Sequence, residues 1–213
     1  MKLFRTLVVC AAVSSLPMAM AQKWEFGGGA GGGFYASNEI TSPGGSAAAK
    51  VKSNFSAGAW IGSNSRSTRW GGELRYDYQK GDLQLKNGST EALFGAETHA
   101  MHYDLTYHFA DEESRVRPFV AAGAGIKIYR GTGQEQPFQP LSKVALLTKA
   151  QDLTPLVSVG LGFKVQLATR WQLRVDVHDY LTPFPKQVIT PNGGNVSGWV
   201  NNIVPMVGLS FTD

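Results

Sequence analysis

The feature that most constrains this 213-residue chain is a two-residue alternation of apolar and polar side chains along long segments. Over residues 101–109, the odd positions carry Met, Tyr, Leu, Tyr and Phe, whereas the even positions carry His, Asp, Thr and His. A period of two places alternate side chains on opposite faces of a β-sheet. The chain is therefore expected to fold into an all-β structure.

Eight segments show this alternation or a related strand composition. They are longer than the roughly 5–6 residues of an average strand in a soluble protein, and about 9–11 residues suffice to cross a membrane at a tilt. We predict strands over 23–36, 53–63, 69–80, 92–109, 116–130, 156–168, 170–181 and 199–211. The best candidate for a short helical piece is the segment from Leu141 to Leu153, which lies between two of these strands.

The links between the predicted strands alternate in length. Those after strands two, four and six are short, whereas the other four are long, and this is typical of periplasmic turns and extracellular loops. The long links are 37–52, 81–91, 131–155 and 182–198. The pattern predicts an eight-stranded antiparallel up-and-down transmembrane β-barrel with both termini in the periplasm. The alternative is a soluble sandwich or lipocalin-like barrel, whose apolar face would point inward.

The first 21 residues have the three parts of a secretory signal peptide. Lys2 and Arg5 precede the apolar run 7–13, and Ala-Met-Ala at 19–21 is a cleavage site. We therefore divide the chain into a signal peptide, 1–21, and an outer-membrane barrel, 22–213. The single cysteine, Cys10, lies in the leader, so the mature chain is expected to have none. Its basic residues are scattered rather than clustered, which does not favour a nucleic-acid partner.

Aromatic residues gather near the ends of the predicted strands, as in the two girdles that flank the apolar band of an outer-membrane barrel. The principal girdle residues are Trp24, Trp70, Tyr107, Phe109, Tyr129, Trp171, Trp199 and Phe211. Further candidates for the outer girdle are Phe34, Tyr78, Phe94 and Tyr180.

The polar faces of the strands would then fill the barrel lumen. The predicted polar network consists of Glu73, Arg75, Asp77, His102, Asp104, Lys127, Lys164, Arg174, Asp176 and His178. An eight-stranded barrel is just wide enough for side chains to fill it, and charges buried there must be paired. We therefore expect a filled lumen rather than an open pore.

Two histidines, His102 and His108, share the lumen face with Asp104. They could form a proton-sensitive or metal-binding cluster, or they could be partners in the interior polar network. Their spacing matches no metal-binding motif, so we favour the second interpretation and predict no metal, no cofactor and no catalytic residues.

Three stretches resemble the small outer-membrane β-barrels of the OmpA type. They are Arg117-Pro118-Phe119-Val120-Ala121-Ala122-Gly123-Ala124-Gly125, Tyr103-Asp104-Leu105-Thr106-Tyr107-His108-Phe109 and Val207-Gly208-Leu209-Ser210-Phe211. The resemblance implies an eight-stranded barrel that the barrel assembly machinery inserts into the cell outer membrane of a Gram-negative envelope.

Loops carry most binding functions, so the long links suggest a structural or surface-interaction role. The largest link, 131–155, carries Gln134, Gln136, Phe138 and Gln139 and is the best candidate contact surface. The expected partners are outer-membrane lipid and lipopolysaccharide, together with an extracellular ligand that the sequence does not identify. A narrow porin-like channel and a lipid-modifying enzyme are the alternatives; no motif supports an enzyme.

Overall fold

The computed structural model describes residues 22–65, 68–135, 138–196 and 198–213, so the predicted leader lies outside the described residues. All its regular elements are strands. They are β1 (Gln22–Gly31), β2 (Phe34–Tyr35), β3 (Asn38–Ser42), β4 (Gly45–Ser65), β5 (Trp70–Asn87), β6 (Thr90–His108), β7 (Val116–Gly131), β8 (Ala145–Leu147), β9 (Gln151–Ala168), β10 (Trp171–Pro183), β11 (Ile189–Pro191) and β12 (Trp199–Thr212). Within the described ranges, no helix is long and apolar enough to cross a membrane.

Eight of these strands form a closed antiparallel ring in chain order: β1, β4, β5, β6, β7, β9, β10 and β12. The ring closes at β1, where Glu25 pairs with Gly62 of β4 on one side and with Thr212 of β12 on the other. Each of the eight predicted strands corresponds to one strand of the ring. The predicted up-and-down barrel is therefore confirmed, and closure gives each of the eight ring strands a partner on both sides.

The two ends of the barrel differ. The proximal end carries the first residue of β1, the last residue of β12 and the links between β4 and β5, β6 and β7, and β9 and β10. The distal end carries the remaining links and the four short strands β2, β3, β8 and β11, of which β8 and β11 pair with each other. Short links at one end and elaborate ones at the other agree with the alternation seen in the sequence.

The distal end is more ordered than the sequence predicts. The predicted long loop 81–91 is wrong, because β5 and β6 continue as a hairpin until Asn87 pairs with Thr90. Gly88 makes the tight turn possible with a φ of 57°, in the left-handed region that glycine adopts without strain. Much of the predicted loop 37–52 is likewise a hairpin, in which β3 pairs with β4.

The predicted helical piece between Leu141 and Leu153 is also wrong. A turn begins there, in which the amides of Val144 and Ala145 bond to the carbonyl of Leu141, and the chain then enters β8. β8 pairs with β11, and its buried Ala145 and Leu147 alternate with the exposed Leu146, as is typical of a strand.

An apolar core lies inside the distal end, which we call the distal core. Its buried members come from β3 to β8, from β11 and β12, and from the segments between them. They are Ile40, Ala47, Ala49, Val51, Leu83, Leu85, Ala92, Phe94, Ala96, Tyr129, Val144, Ala145, Leu147, Phe184, Val188, Ile189, Val196 and Val200. Described residues of the links between β7 and β9 and between β10 and β12 thus pack against the strands inside the distal end of the barrel.

Truncation of a distal-core leucine should destabilise this end of the barrel. Leu85 is fully buried in the distal core, whereas Leu93, on the neighbouring strand, points outward and is about half exposed. We expect Leu85→Ala to lower the free energy of unfolding by about 2–5 kcal/mol, because it leaves a cavity. Leu93→Ala should change it little. Urea titration of the folded protein in detergent measures both values, and equal effects of the two variants would contradict a packed distal core.

Candidate functional site

The middle of the lumen is filled by two arginines that pair with carboxylates across the barrel. Arg174 on β10 forms two hydrogen bonds with Glu73 on β5, and its Nη2 lies 3.0 Å from Oε1. Its Nε also lies 2.5 Å from Oδ2 of Asp176. Two parallel bonds between a guanidinium and a carboxylate fix their relative orientation, so these side chains clamp opposite walls together.

The second arginine, Arg75, extends the same network. Its Nε lies 3.0 Å from Oδ2 of Asp77, and its Nη1 lies 3.1 Å from Oδ2 of Asp176. Trp60 lies next to both guanidiniums, with Arg75 5.3 Å and Arg174 4.7 Å from its ring centroid. The indole thus supplies cation–π contacts in a region where water would otherwise solvate the charges.

A further ion pair lies toward the proximal end and is joined to the central network, because Oε1 of Glu25 lies 3.9 Å from Nη1 of Arg174. Lys164 Nζ lies 2.5 Å from Oε2 of Glu25, and both side chains are buried. The amide of Asn64 donates to the same carboxylate oxygen at 3.2 Å. Glu25 projects inward from β1, the closing strand, so this pair joins the closure of the ring to β9.

Toward the distal end, Lys127 is enclosed by tyrosine rings. Its Nζ lies 4.7 Å from the ring centroid of Tyr35, 5.3 Å from that of Tyr129 and 5.4 Å from that of Tyr180. The ammonium is fully buried and has no hydrogen-bond partner among the described residues. Cation–π contacts therefore replace its hydration at the boundary between the polar lumen and the distal core.

Between these groups lies a cluster of two imidazoles, a carboxylate and a hydroxyl. His102 Nδ1 lies 2.9 Å from Oδ1 of Asp104, and His178 Nδ1 lies 3.6 Å from Oδ2 of the same residue. Ser158 Oγ lies 3.2 Å from Nδ1 of His178 and 3.4 Å from Oδ2 of Asp104. The four side chains come from β6, β9 and β10 and are all buried.

The structure places all ten predicted lumen residues inside the barrel. It adds Glu25 and Arg117, so the lumen below the distal core holds five carboxylates and five lysines or arginines: Glu25, Glu73, Asp77, Asp104, Asp176, Arg75, Arg117, Lys127, Lys164 and Arg174. A sixth buried carboxylate, Asp152, lies at the level of the distal core, where it is paired in register with Tyr129. Balanced charge of this kind is what a low-dielectric interior requires.

Sequence reasoning missed several interior residues that the network uses. The alternation of β1 places Glu25 between the outward Trp24 and Phe26, so this signal was available. Trp60 was missed because an indole is usually assigned to the lipid face or to a girdle. The role of Ser158 depends on contacts with β6 and β10, which no sequence pattern reveals.

The outer wall has the opposite character. Val157, Val159 and Leu161 on β9 are all exposed, and Leu161 is 63% exposed. This excludes the soluble alternative, in which they would point inward. The proximal rim carries aromatic pairs whose ring centroids are 5.1 Å apart for Trp70 and Tyr107 and 5.6 Å apart for Trp171 and Phe211.

The prediction that Tyr129 belongs to the aromatic girdle is wrong. It is 1% exposed, and its hydroxyl lies 2.8 Å from that of Thr182 inside the barrel. The further candidates Phe94 and Tyr180 are buried as well. Phe94 and Tyr129 pack in the distal core, at the level where an outer girdle was expected. Tyr180 points into the lumen instead, where its hydroxyl bonds to His102 and Asp77.

The chain matches the outer membrane protein beta-barrel domain over residues 7–211, almost its whole length. It belongs to this family. The protein is therefore an outer-membrane β-barrel, and its exposed apolar wall is the surface that faces lipid. Comparison with curated protein sequences finds no match.

Solved structures share the fold at low sequence identity. The outer membrane protein OprG from Pseudomonas aeruginosa is 14% identical with a TM-score of 0.55, and the match covers 91% of this chain and 96% of OprG. Neisserial surface protein A is 13% identical with a TM-score of 0.49, and the match covers 89% of this chain and 95% of that protein. The likeness to OprG shows the barrel fold and nothing about ligands.

Removal of one member of the central network should be costly. Arg174→Met leaves the carboxylates of Glu73 and Asp176 without their main cation, and breaking a buried pair in this way costs about 3–5 kcal/mol. Arg170→Met, in the exposed turn before β10, is the control. We expect the first variant to lose its heat-modifiable gel mobility at a clearly lower temperature than wild type and the second to match wild type. Identical transitions for the two variants would mean that the network contributes no stability.

Proposed function

We propose that this outer-membrane barrel has a structural and surface-interaction role and is not an enzyme. The observation that supports this proposal best is the distal core, because it turns the distal end into a folded, closed surface. Below it, Arg75, Arg174 and Lys127 occupy the lumen without measurable exposure. A filled lumen favours anchorage over transport.

The distal surface supplies the candidate contact residues. Phe138 is 79% exposed, and the residue that follows it, Gln139, is partly buried. Gln139 bonds to both backbone groups of Leu147, with its Nε2 2.8 Å from the carbonyl and its Oε1 3.0 Å from the amide. Gln136 lies outside the described residues. An exposed aromatic side chain on an ordered support is the type of anchor that protein interfaces use.

The proposal includes a route and partners. A leader over 1–21 would be cleaved after secretion, and the barrel assembly machinery would then insert the mature chain into the outer membrane. The aromatic rim and apolar wall would contact membrane lipid and lipopolysaccharide, and the distal surface would face outward to an extracellular ligand. No nucleic-acid partner is expected. Both termini would then be periplasmic.

Conductance separates this role from a narrow porin-like channel. Because the interior carries paired charges under an apolar closure, we expect no discrete current steps from the folded protein in planar bilayers. A wide porin reconstituted in the same way is the positive control. Reproducible steps that scale with the amount of folded protein would instead support the channel.

Cysteine labelling tests the orientation. If the leader is removed, the mature chain contains no cysteine, so one can be introduced at Ser89 in the distal hairpin turn or at Glu113 in a proximal turn. On intact cells, a membrane-impermeant maleimide should label Ser89→Cys and leave Glu113→Cys unlabelled until the outer membrane is permeabilised. Labelling of the wild-type chain would show that Cys10 is retained, and the reverse accessibility would refute the proposed orientation.

A further inference from the structure

Asp104 differs in its partners from the other carboxylates of the lumen below the distal core. Glu25, Glu73, Asp77 and Asp176 each lie within 4.0 Å of a lysine or arginine nitrogen. Among the described residues, Asp104 lies within that distance of imidazoles alone. A fully buried carboxylate needs a positive or strongly donating partner, and the arginines are already engaged elsewhere.

The groups around Asp104 form a compact donor set. One donor atom each from His102, Asp104 and His178 lies within 4.8 Å of the others. Ser158 Oγ is a fourth oxygen, 3.2 Å from Nδ1 of His178. In a tetrahedral zinc site with bonds of about 2.0–2.1 Å, neighbouring donors are roughly 3.4 Å apart. Only small side-chain movements separate the observed arrangement from that geometry.

We propose that His102, Asp104 and His178 bind one divalent transition-metal ion of the zinc class inside the lumen. Ser158 or a water molecule would complete the coordination. Two imidazoles and a carboxylate are ligands that such ions prefer, whereas magnesium and calcium prefer oxygen alone. His102 and Asp104 lie on β6 and His178 lies on β10, so the ion would cross-link two strands that are not neighbours in the ring.

Outer contacts orient the first imidazole for this role. Nε2 of His102 lies 3.2 Å from the hydroxyl of Tyr180 and 3.6 Å from Oδ2 of Asp77. The Tyr180 hydroxyl donates to Asp77, so its oxygen accepts the N–H on Nε2 of His102. The proton that Nδ1 shares with Asp104 would be released when the ion binds, which frees the Nδ1 lone pair for coordination. Histidines that bind metals usually have such a partner.

The second imidazole must exchange one contact. Nη1 of Arg75 lies 3.1 Å from Nε2 of His178. A metal bound at Nδ1 leaves the imidazole proton on Nε2, and Nε2 can then no longer accept a hydrogen bond from Arg75. Arg75 keeps its bonds to Asp77 and Asp176 when it gives up this contact. Nε2 of His178 then faces Oδ1 of Asp176, which lies 3.9 Å away.

This proposal revises the expectation that the chain binds no metal. That expectation rested on spacing, and only His102 and Asp104 are close in the sequence. His178 reaches them because β10 lies across the lumen from β6, a relation that becomes visible only in the closed barrel.

Cobalt(II) is the probe for the test. The mature protein is refolded in detergent with cobalt(II), and folding is verified by heat-modifiable mobility. We expect about one ion per barrel, a visible absorption band of a four-coordinate site and its loss on addition of zinc(II). His178→Gln should weaken binding by more than the roughly 10- to 100-fold that loss of an outer contact costs. His108→Gln is the matched control. Like His178, His108 is a buried histidine, but it lies at the end of β6 and outside the cluster.

Several results would overturn the proposal. Folded wild-type protein without bound cobalt would do so whatever the behaviour of the variants, so the test survives a variant that fails to fold. A spectrum of hydrated cobalt alone, or equal loss of binding in His108→Gln and His178→Gln, would do the same. Retention of one ion in the control and its loss in His178→Gln would support the site.

Discussion

The whole structure depends on closure of one hydrogen-bonded ring. In lipid, backbone amides and carbonyls have no water to bind, so an open sheet edge would leave a row of unsatisfied groups. β1 provides the closure by pairing with β4 and β12 at once. It is also the shortest strand of the ring and is rich in glycine.

A Cβ at Gly27 would lie 2.3 Å from the Trp60 ring, and one at Gly208 would lie 2.5 Å from it. These glycines make room for the indole between the two lumen arginines.

The environment outside the barrel determines what its interior contains. Where lipid surrounds the wall, the outward positions are apolar, and the inward positions carry the charged network. Beyond that level the same strands reverse their polarity. On β5, Leu83 and Leu85 point inward to the distal core, whereas Lys80 and Lys86 are exposed. Because only the polarity of the side chains on each face changes, the hydrogen bonds between neighbouring strands continue without a break from the lipid level into water.

Alternation predicted the ring, and a stricter use of it would have corrected most of the errors. Tyr129 lies two residues from Lys127, and Tyr180 lies two residues from His178, so each tyrosine shares a face with a residue assigned to the lumen. Period two therefore already excluded both from the girdle. The dipeptide Gly88-Ser89 is a common two-residue hairpin turn and marked the end of β5. By contrast, the pairing of Arg174 with Glu73 spans 101 positions and that of Lys164 with Glu25 spans 139. Such partners depend on barrel tilt and closure, which local patterns do not encode.

The buried charges pose a thermodynamic question, because a well-packed apolar interior is often at least as stable as paired ions. The path to the membrane offers an answer. β9 runs for 18 residues from Gln151 to Ala168, and apolar residues occupy most of its lipid-facing positions. If its inward positions were apolar too, the segment would approach the roughly 18 apolar residues that form a transmembrane helix. Lys164 and the other polar side chains of its inner face prevent this. The polar lumen thereby keeps the strands from stopping in the first membrane they cross, and the ion pairs offset the cost of burying the charges once the barrel closes.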